Sequence, residues 1–331
     1  MDNIYQLGIQ IILFLQGLGE WIFAPMQFFT FLGDEEFYLL ITPILYWSID
    51  TRIGFRTAIM LMLSSGTYNL GKWFFHTPRP YWISDQVRLF RAESSFGMPS
   101  GHATNAVAIW GYLAASFRKT WFWVLAILLM FFIGLSRLFL AIHFPHDVLS
   151  GWILGLLLLL IYLRFEPGIS RWLEQKSVTY KLGFSFLASL ALIILALLVV
   201  LSQAGDPLPA GWVENAAIAF PEEPPLKPFA LAGQITVAGT LFGLAAGHIF
   251  LFSTSGYKTR GLWWHHFLRY LLGIIGVLIL WAGLDAVFPD GDTLIPYIFR
   301  YLRYALVGFW ITFLAPIIFI QLKIARPSSS P

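Results

Sequence analysis

The sequence predicts an all-α, polytopic membrane helical bundle: a six-helix core followed by about four additional C-terminal transmembrane helices. Three observations carry this. Hydrophobic residues make up 58% of the 331 residues and charged residues 12%, whereas a soluble domain carries about 25% charged residues. Mean hydropathy is +0.71. Apolar stretches approaching the roughly 20 residues a helix needs to cross hydrocarbon recur along the whole chain. A soluble globular enzyme, a disordered chain and a fibrous protein are excluded. The 14 Trp, 13 Tyr and 31 Phe supply interfacial belts. With 0 Cys there is no disulfide, no thiolate nucleophile and no thiolate metal site. Met1-Asp2-Asn3 lacks the basic start of a signal peptide.

Apolar runs and their breakers predict ten helices. The first covers 4–32, interrupted by Gly17, Gly19, Glu20 and Pro25, and lies partly in the interface. The second, 37–49, is short for a span, and the third covers 53–75. After a polar loop come helices over 101–117, 121–142 and 145–165. The polar, amphipathic stretch 166–181 reads as a cytoplasmic linker, dividing a catalytic core (1–165) from further helices (182–331). Those helices cover 182–201, 228–252, 265–288 and 294–322, with an irregular Pro/Glu-rich connector over 203–227. Without an internal repeat, a two-fold transporter architecture lacks its signature.

Alternation places Arg52, Arg56, Arg118, Lys119, Arg164, Arg171, Lys176, Lys181, Lys258, Arg260, Lys323 and Arg326 on one face. That face is expected to be cytoplasmic. Asp34, Glu35, Glu36, Asp85, Glu93, Asp206, Glu214, Glu222, Glu223, Asp290 and Asp292 fall on the other. Three polar blocks from separate helices meet at this second, extracytoplasmic face. They are Lys72 with Arg79-Pro80, Pro99-Ser100-Gly101-His102, and Ser136-Arg137 with His143 and Asp147.

Ionisable residues at span ends are costly and mark function. Lys72, Arg79 and Arg137 form a clamp for a dianion, and guanidinium groups match phosphate oxygens in a fork. Ser100 and Gly101 open a helix, where backbone N–H groups favour an anion. Asp147, four residues after His143, is placed to hold one imidazole nitrogen while the other attacks. His102 is left to protonate the leaving group. Phosphohistidine formation and hydrolysis follow, without a cofactor or metal, because no carboxylate cluster stands ready for Mg²⁺. Interfacial snorkelling explains a single Lys or Arg but not this combination.

KWFFHTPRP, PSGH and SRLFLAIHFPHD resemble the three-part signature of the type 2 phosphatidic acid phosphatase (PAP2) superfamily, K-x6-RP, PSGH and SR-x5-H-x3-D. The resemblance implies a metal-independent phosphohydrolase. In it His143 is the nucleophile, Asp147 its orienting partner and His102 the general acid, while Lys72, Arg79, Ser100, Gly101 and Arg137 bind phosphate. Soluble vanadium haloperoxidases share the signature, but the spans argue against that branch. LGDEEFYLLITPILYWSID is similar to the second-helix region of sphingosine-1-phosphate phosphatases, which usually show PSTH where this chain has PSGH.

The expected reaction is dephosphorylation of a lipid phosphate in the bilayer, of the sphingoid-base or phosphatidic acid kind. Alternatives are a polyprenyl diphosphate or phosphatidylglycerol phosphate phosphatase, a sugar phosphatase, or a transporter that binds phosphate without hydrolysis. The expected partners are the lipid substrate and the bilayer, with no nucleic acid. Arg88, Arg91 and His76 are further candidates for headgroup contact. Glu20 and Asp285 are acids near spans. Trp263-Trp264-His265-His266 reads as an aromatic belt, and Arg300-Tyr301-Arg303-Tyr304 as an interfacial anchor.

Overall fold

The computed structural model describes residues 2–203, 207–222 and 225–328. Asp206 and Glu223, assigned above to the extracytoplasmic face, lie outside these residues. Among the described residues the chain is helical, and the one strand-like feature is an antiparallel bridge between Lys258 and Arg326.

The first predicted helix is broken in two. Helix α1 (Asp2–Gly17) and the segment Glu20–Phe31, which holds a short turn and α2 (Phe23–Phe31), meet at 92°. Gly19 sits in the break at φ 110, a conformation open to glycine. Pro25 falls in the first turn of α2, where its missing N–H is not needed. Helix α3 (Glu35–Ile44) contains Pro43 and runs into a π-helical turn, Leu45–Ile49. Asp50 then caps α4 (Thr51–Phe75), its Oδ1 accepting from the N–H groups of Arg52 at 2.8 Å and Ile53 at 2.9 Å.

The short α5 (Pro80–Ile83) follows Arg79. Helix α6 (Gly101–Asn105) continues through a π turn into α7 (Gly111–Phe117). Helix α8 (Thr120–Phe139) leads to α9 (Pro145–Glu174), with Pro145 as its first residue. Then come α10 (Val178–Ser202), α11 (Ala210–Ala219), α12 (Ala232–Thr254), α13 (Trp263–Asp285), α14 (Leu294–Phe309) and α15 (Ala315–Gln321).

Two stretches differ from expectation. Most of the predicted linker 166–181 is helix, because α9 continues through Pro167 to Glu174. Glu166 is held from the side by Arg56 at 2.7 Å and by the Ser170 hydroxyl at 2.5 Å, which steadies the turn that lacks the proline N–H. The connector 203–227 contains α11, so it is not wholly irregular.

Among the described residues six helices are long and apolar enough to cross a membrane, or seven if the bent first pair counts as one span. Ten were expected. Helix α4 is long enough but carries Arg52, Arg56 and Lys72, and the α6–α7 run is short.

The chain forms two compact units, Met1–Phe37 with Thr67–Ile161 and Leu197–Ala230, and Tyr38–Gly66 with Tyr162–Ala196 and Leu231–Pro331. Long helices such as α4 contribute residues to both units. In the first unit, Ala106, Leu129 and Ile133 pack with Phe29, Leu32 and Trp110. The core of the second joins Tyr46, Trp47, Leu244, Val277, Val307 and Phe319. There Arg269 is fully buried and donates to the carbonyls of Ile324, Trp47, Thr259 and Arg260.

Candidate active site

All three sequence blocks lie in the first unit, and they line one cavity of about 240 Å³. Each block is placed by a helix end. Lys72 comes from the last turn of α4, and Arg79 immediately precedes α5. Gly101 and His102 open α6, and Arg137 lies in the last turn of α8. His143 sits in the turn before α9 and Asp147 in the first turn of that helix. Arg79, Arg137, His143 and Asp147 are at most 1% exposed.

Arg79 is held from several sides. Its Nε donates to the Ser95 carbonyl at 2.6 Å, Nη2 to the Ser95 hydroxyl at 2.9 Å, and Nη1 to the Ile142 carbonyl at 2.8 Å. Lys72 Nζ donates to the same Ser95 hydroxyl at 2.8 Å. Arg137 Nη1 donates to Thr30 Oγ1 at 2.5 Å, while its Nε and Ser100 Oγ are buried without a hydrogen-bond partner among the described residues. A buried donor left open in this way fits an arriving anion. Ser100 stands at the expected helix-capping position, but its hydroxyl does not cap the helix.

The two histidines have separate carboxylates. His143 Nδ1 lies 3.3 Å from Asp147 Oδ2, and its Nε2 lies 3.5 Å from Arg79 Nη1. Asp147 Oδ2 also accepts from the Phe144 N–H at 2.9 Å, as an acid at the third helical position does in a capping box. One carboxylate therefore fixes the helix start and the ring together. Burial, then the charges of Arg79, Arg137, Lys72 and His102, push the His143 pKa well below its ordinary value. The ring is thus neutral, with a lone pair for attack.

His102 Nε2 lies 3.0 Å from Asp34 Oδ1, and Arg91 donates to the same oxygen at 2.8 Å. Burial would raise the Asp34 pKa, but hydrogen bonding and charge from His102, and then Arg91, hold it below the usual carboxylate range.

Glu93 is the feature that sequence reasoning missed. Its carboxylate sits 3.3 Å from Arg137 and 3.8 Å from Arg79. Against the cost of burial, the charges of Arg79, Arg137, Lys72 and His102 draw its pKa down to about 2. The Tyr81 hydroxyl clamps the Glu93 backbone, donating to its carbonyl at 2.6 Å and accepting from its N–H at 2.9 Å. Asp34, Ser95 and Thr30 were also missed as partners. The available signal was an acid followed by two serines (Glu93-Ser94-Ser95) between two cation-bearing blocks.

The remaining candidates separate. Arg91 lines the cavity. Arg88 is turned to an exposed pair with Glu20 at 3.1 Å. His76 does not line the cavity and packs between Phe96 and Phe229. His146 stacks on Phe144 with Nε2 3.4 Å from Asp147 Oδ1. Asp285 is paired with Arg303.

Residues 54–171 match the PAP2 superfamily model, and residues 235–327 match a model described as the PAP2 superfamily phosphatase transmembrane extension. Glucose-6-phosphatase 3 of Bos taurus is 28% identical over 277 residues, covering 74% of this chain and 76% of that protein. Phosphatidylglycerophosphatase B of Bacillus subtilis is 29% identical over 168 residues, 47% of this chain and 80% of that protein. The crystal structure of Aquifex aeolicus LpxE aligns with a TM-score of 0.43 at 20% identity, covering 48% of this chain and 95% of that one. The two family matches enclose the three blocks and all but the first turn of the helices α12 to α15, and the chain belongs to the PAP2 superfamily as an integral membrane phosphatase with its C-terminal transmembrane extension.

Proposed function

We propose that this phosphatase hydrolyses the phosphate monoester of a membrane lipid, of the sphingoid-base or phosphatidic acid kind, through a phosphohistidine and without a metal. The observation that carries the mechanism is the pairing of two carboxylate-held histidines with three cations around one cavity. His143 Nε2 attacks phosphorus, the P–O bond to the alcohol breaks, and His102 gives its proton to the leaving oxygen. Asp147 offsets the positive charge the His143 ring then acquires. His102 next takes a proton from water, whose oxygen attacks phosphorus, and the P–N bond breaks to release phosphate. Lys72, Arg79 and Arg137 stabilise the transferring group with their fixed charges.

Charge selects the substrate form. Lys72, Arg79 and Arg137 converge on the cavity while Glu93 is the carboxylate paired with the two guanidiniums, a cation-rich cluster that suits the dianion of a monoester better than the monoanion of a diester. The lipid assignment rests on the cavity rim. Gly33, Asp34, Glu35 and Glu36 belong to it, just beyond α2, whose Phe28 and Phe31 are 57% and 43% exposed. That apolar face is suited to an acyl or prenyl tail. The reading further places the site on the extracytoplasmic side, with the basic loops cytoplasmic.

A second reading, a soluble sugar phosphate as substrate, draws support from the glucose-6-phosphatase similarity, which extends over 277 residues. Phosphate release by purified protein in EDTA distinguishes the two. The panel is sphingosine-1-phosphate, phosphatidic acid, phosphatidylglycerol phosphate, undecaprenyl diphosphate and glucose-6-phosphate. The expected result is EDTA-resistant release from a lipid monoester, lowered at least about 10³-fold in His143→Ala, with ³²P trapped on wild-type protein in acid-labile form. Equal or better efficiency on glucose-6-phosphate overturns the lipid assignment. Loss of activity in EDTA overturns the mechanism, and binding without release favours a transporter.

A further inference from the structure

We propose that the second unit carries an anion site of its own, sharing no residue with the phosphate cage, which takes the headgroup phosphate of an anionic membrane lipid. The site is a cavity of about 1200 Å³ whose lining lies wholly within that unit. Arg52, Arg56, Arg171, Lys181, Lys258 and Arg260 line it, against Asp50, Glu166 and Glu174. Two of those acids are engaged locally. Asp50 caps α4 through the N–H groups of Arg52 and Ile53, and Glu166 accepts from Arg56 at 2.7 Å. Arg52, Lys181, Lys258 and Arg260 have no ion-pair partner among the described residues.

A concave surface with an unbalanced positive charge focuses its field and draws in an anion. Phe55, Leu173, Ile249 and Phe252 give the same cavity apolar wall. A lipid headgroup and a free phosphate ester share the chemistry that the cations recognise. The apolar wall favours the lipid, whose glycerol and first methylenes would lie against it, as in other basic pockets between membrane helices.

The test uses full-length protein in detergent with equimolar phosphatidylglycerol and phosphatidylcholine, and counts retained lipid by native mass spectrometry. Phosphatidylglycerol is a diester without a terminal phosphate, so hydrolysis of monoesters does not consume it. Wild-type protein is expected to retain phosphatidylglycerol over phosphatidylcholine. Arg52→Gln/Arg260→Gln should lower that retention at least fivefold, and Arg52→Lys/Arg260→Lys should restore most of it. Monoester hydrolysis in detergent alone checks that each variant is folded. If the glutamine pair does not fold, Lys181→Gln/Lys258→Gln carries the comparison. Equal retention in wild type and the folded glutamine variant overturns the proposal. Full displacement of the lipid by millimolar glycerol 3-phosphate overturns the lipid as occupant and leaves a site for a soluble ester.

Discussion

Glu93 answers a problem of charge. Lys72, Arg79 and Arg137 crowd cations around one small cavity, and the Glu93 carboxylate lies beside both guanidiniums and holds them in place. Glu93→Gln is therefore expected to lower kcat by about 10- to 100-fold, because guanidiniums displaced by 1 Å lose that much. Unchanged kcat with a lower KM would instead make Glu93 a competitor of substrate. Acidity gives a second expectation. Glu93 falls from its ordinary 4.5 to about 2 in the fold, so its stabilising contribution is whole above pH 4.5 and is lost as pH falls towards 2. His143 is depressed below 6.5, so the unfolded chain takes up its proton first and stability already declines as pH falls below 6.5. Thermal midpoints of wild type and Glu93→Gln against pH check the first contribution, and the variant's curve should be flatter between pH 4.5 and 2. If His143 is the nucleophile, as proposed, activity should not halve near pH 6.5, since its ring is held neutral there.

Among the elements, the approach of α9 to the start of α6 sets the site. A Cβ on Gly151 would lie 2.6 Å from the Ser100 carbonyl oxygen and one on Gly155 2.6 Å from that of Thr104. Only glycine lets α9, which carries Asp147, come so close to the backbone of Ser100, and the Ser100 N–H donates to the Asp147 carbonyl at 2.9 Å. Gly151→Ala should cost about 1–3 kcal/mol of stability. It should also reduce kcat in the protein that remains folded, because the wedge lies between the turn at Ser100 and the helix that carries Asp147, both of which the proposed mechanism uses. A variant that loses stability but keeps wild-type kcat would show that the helices can part without moving the site. In the other unit the same device packs α12 on α14 and the turn after it, with Gly239 and Gly243 facing Tyr301 and Ala305 and Gly247 facing Phe309 and Thr312.

For the whole molecule, α4, α9 and α10 each contribute residues to both compact units, so the two share backbone and are expected to unfold together. Arg269 tests this. Replacing it by Met leaves the buried bonds to the carbonyls of Ile324 and Trp47 unmade, each worth about 1–3 kcal/mol when unsatisfied. Arg269→Met should lower the thermal midpoint and abolish phosphatase activity in the same transition, although Arg269 touches no cavity-lining residue of the active site. Activity outlasting the loss of the second unit's structure, followed by tryptophan fluorescence, would show that the units melt separately.

Membrane helices and chemistry-bearing blocks were both legible in the chain itself. Hydrocarbon demands a long apolar run, which is a local property, and the alternation of spans alone put Lys72, Arg79, His102, Arg137, His143 and Asp147 at one face. Spacing within a block also carried geometry: the i,i+4 separation of His143 and Asp147 became their contact. What the chain could not show was which loop residues fold back among those blocks. Asp34 on His102, Glu93 on Arg137 and Ser95 on Arg79 join segments without a shared period, and their pairing is set by how helices pack. The break at Gly17–Gly19 was legible as a position but not as an angle of 92°. Nor could Pro167 be recognised as lying inside a helix, since the side contacts that hold Glu166 come from residues remote in sequence or one turn away. The sequence by itself determined the solvent, the all-helical class and the three chemistry-bearing blocks, because these depend on residue type and short-range spacing. Tertiary structure alone decided the partners that position those groups, because each partner is a contact between distant segments.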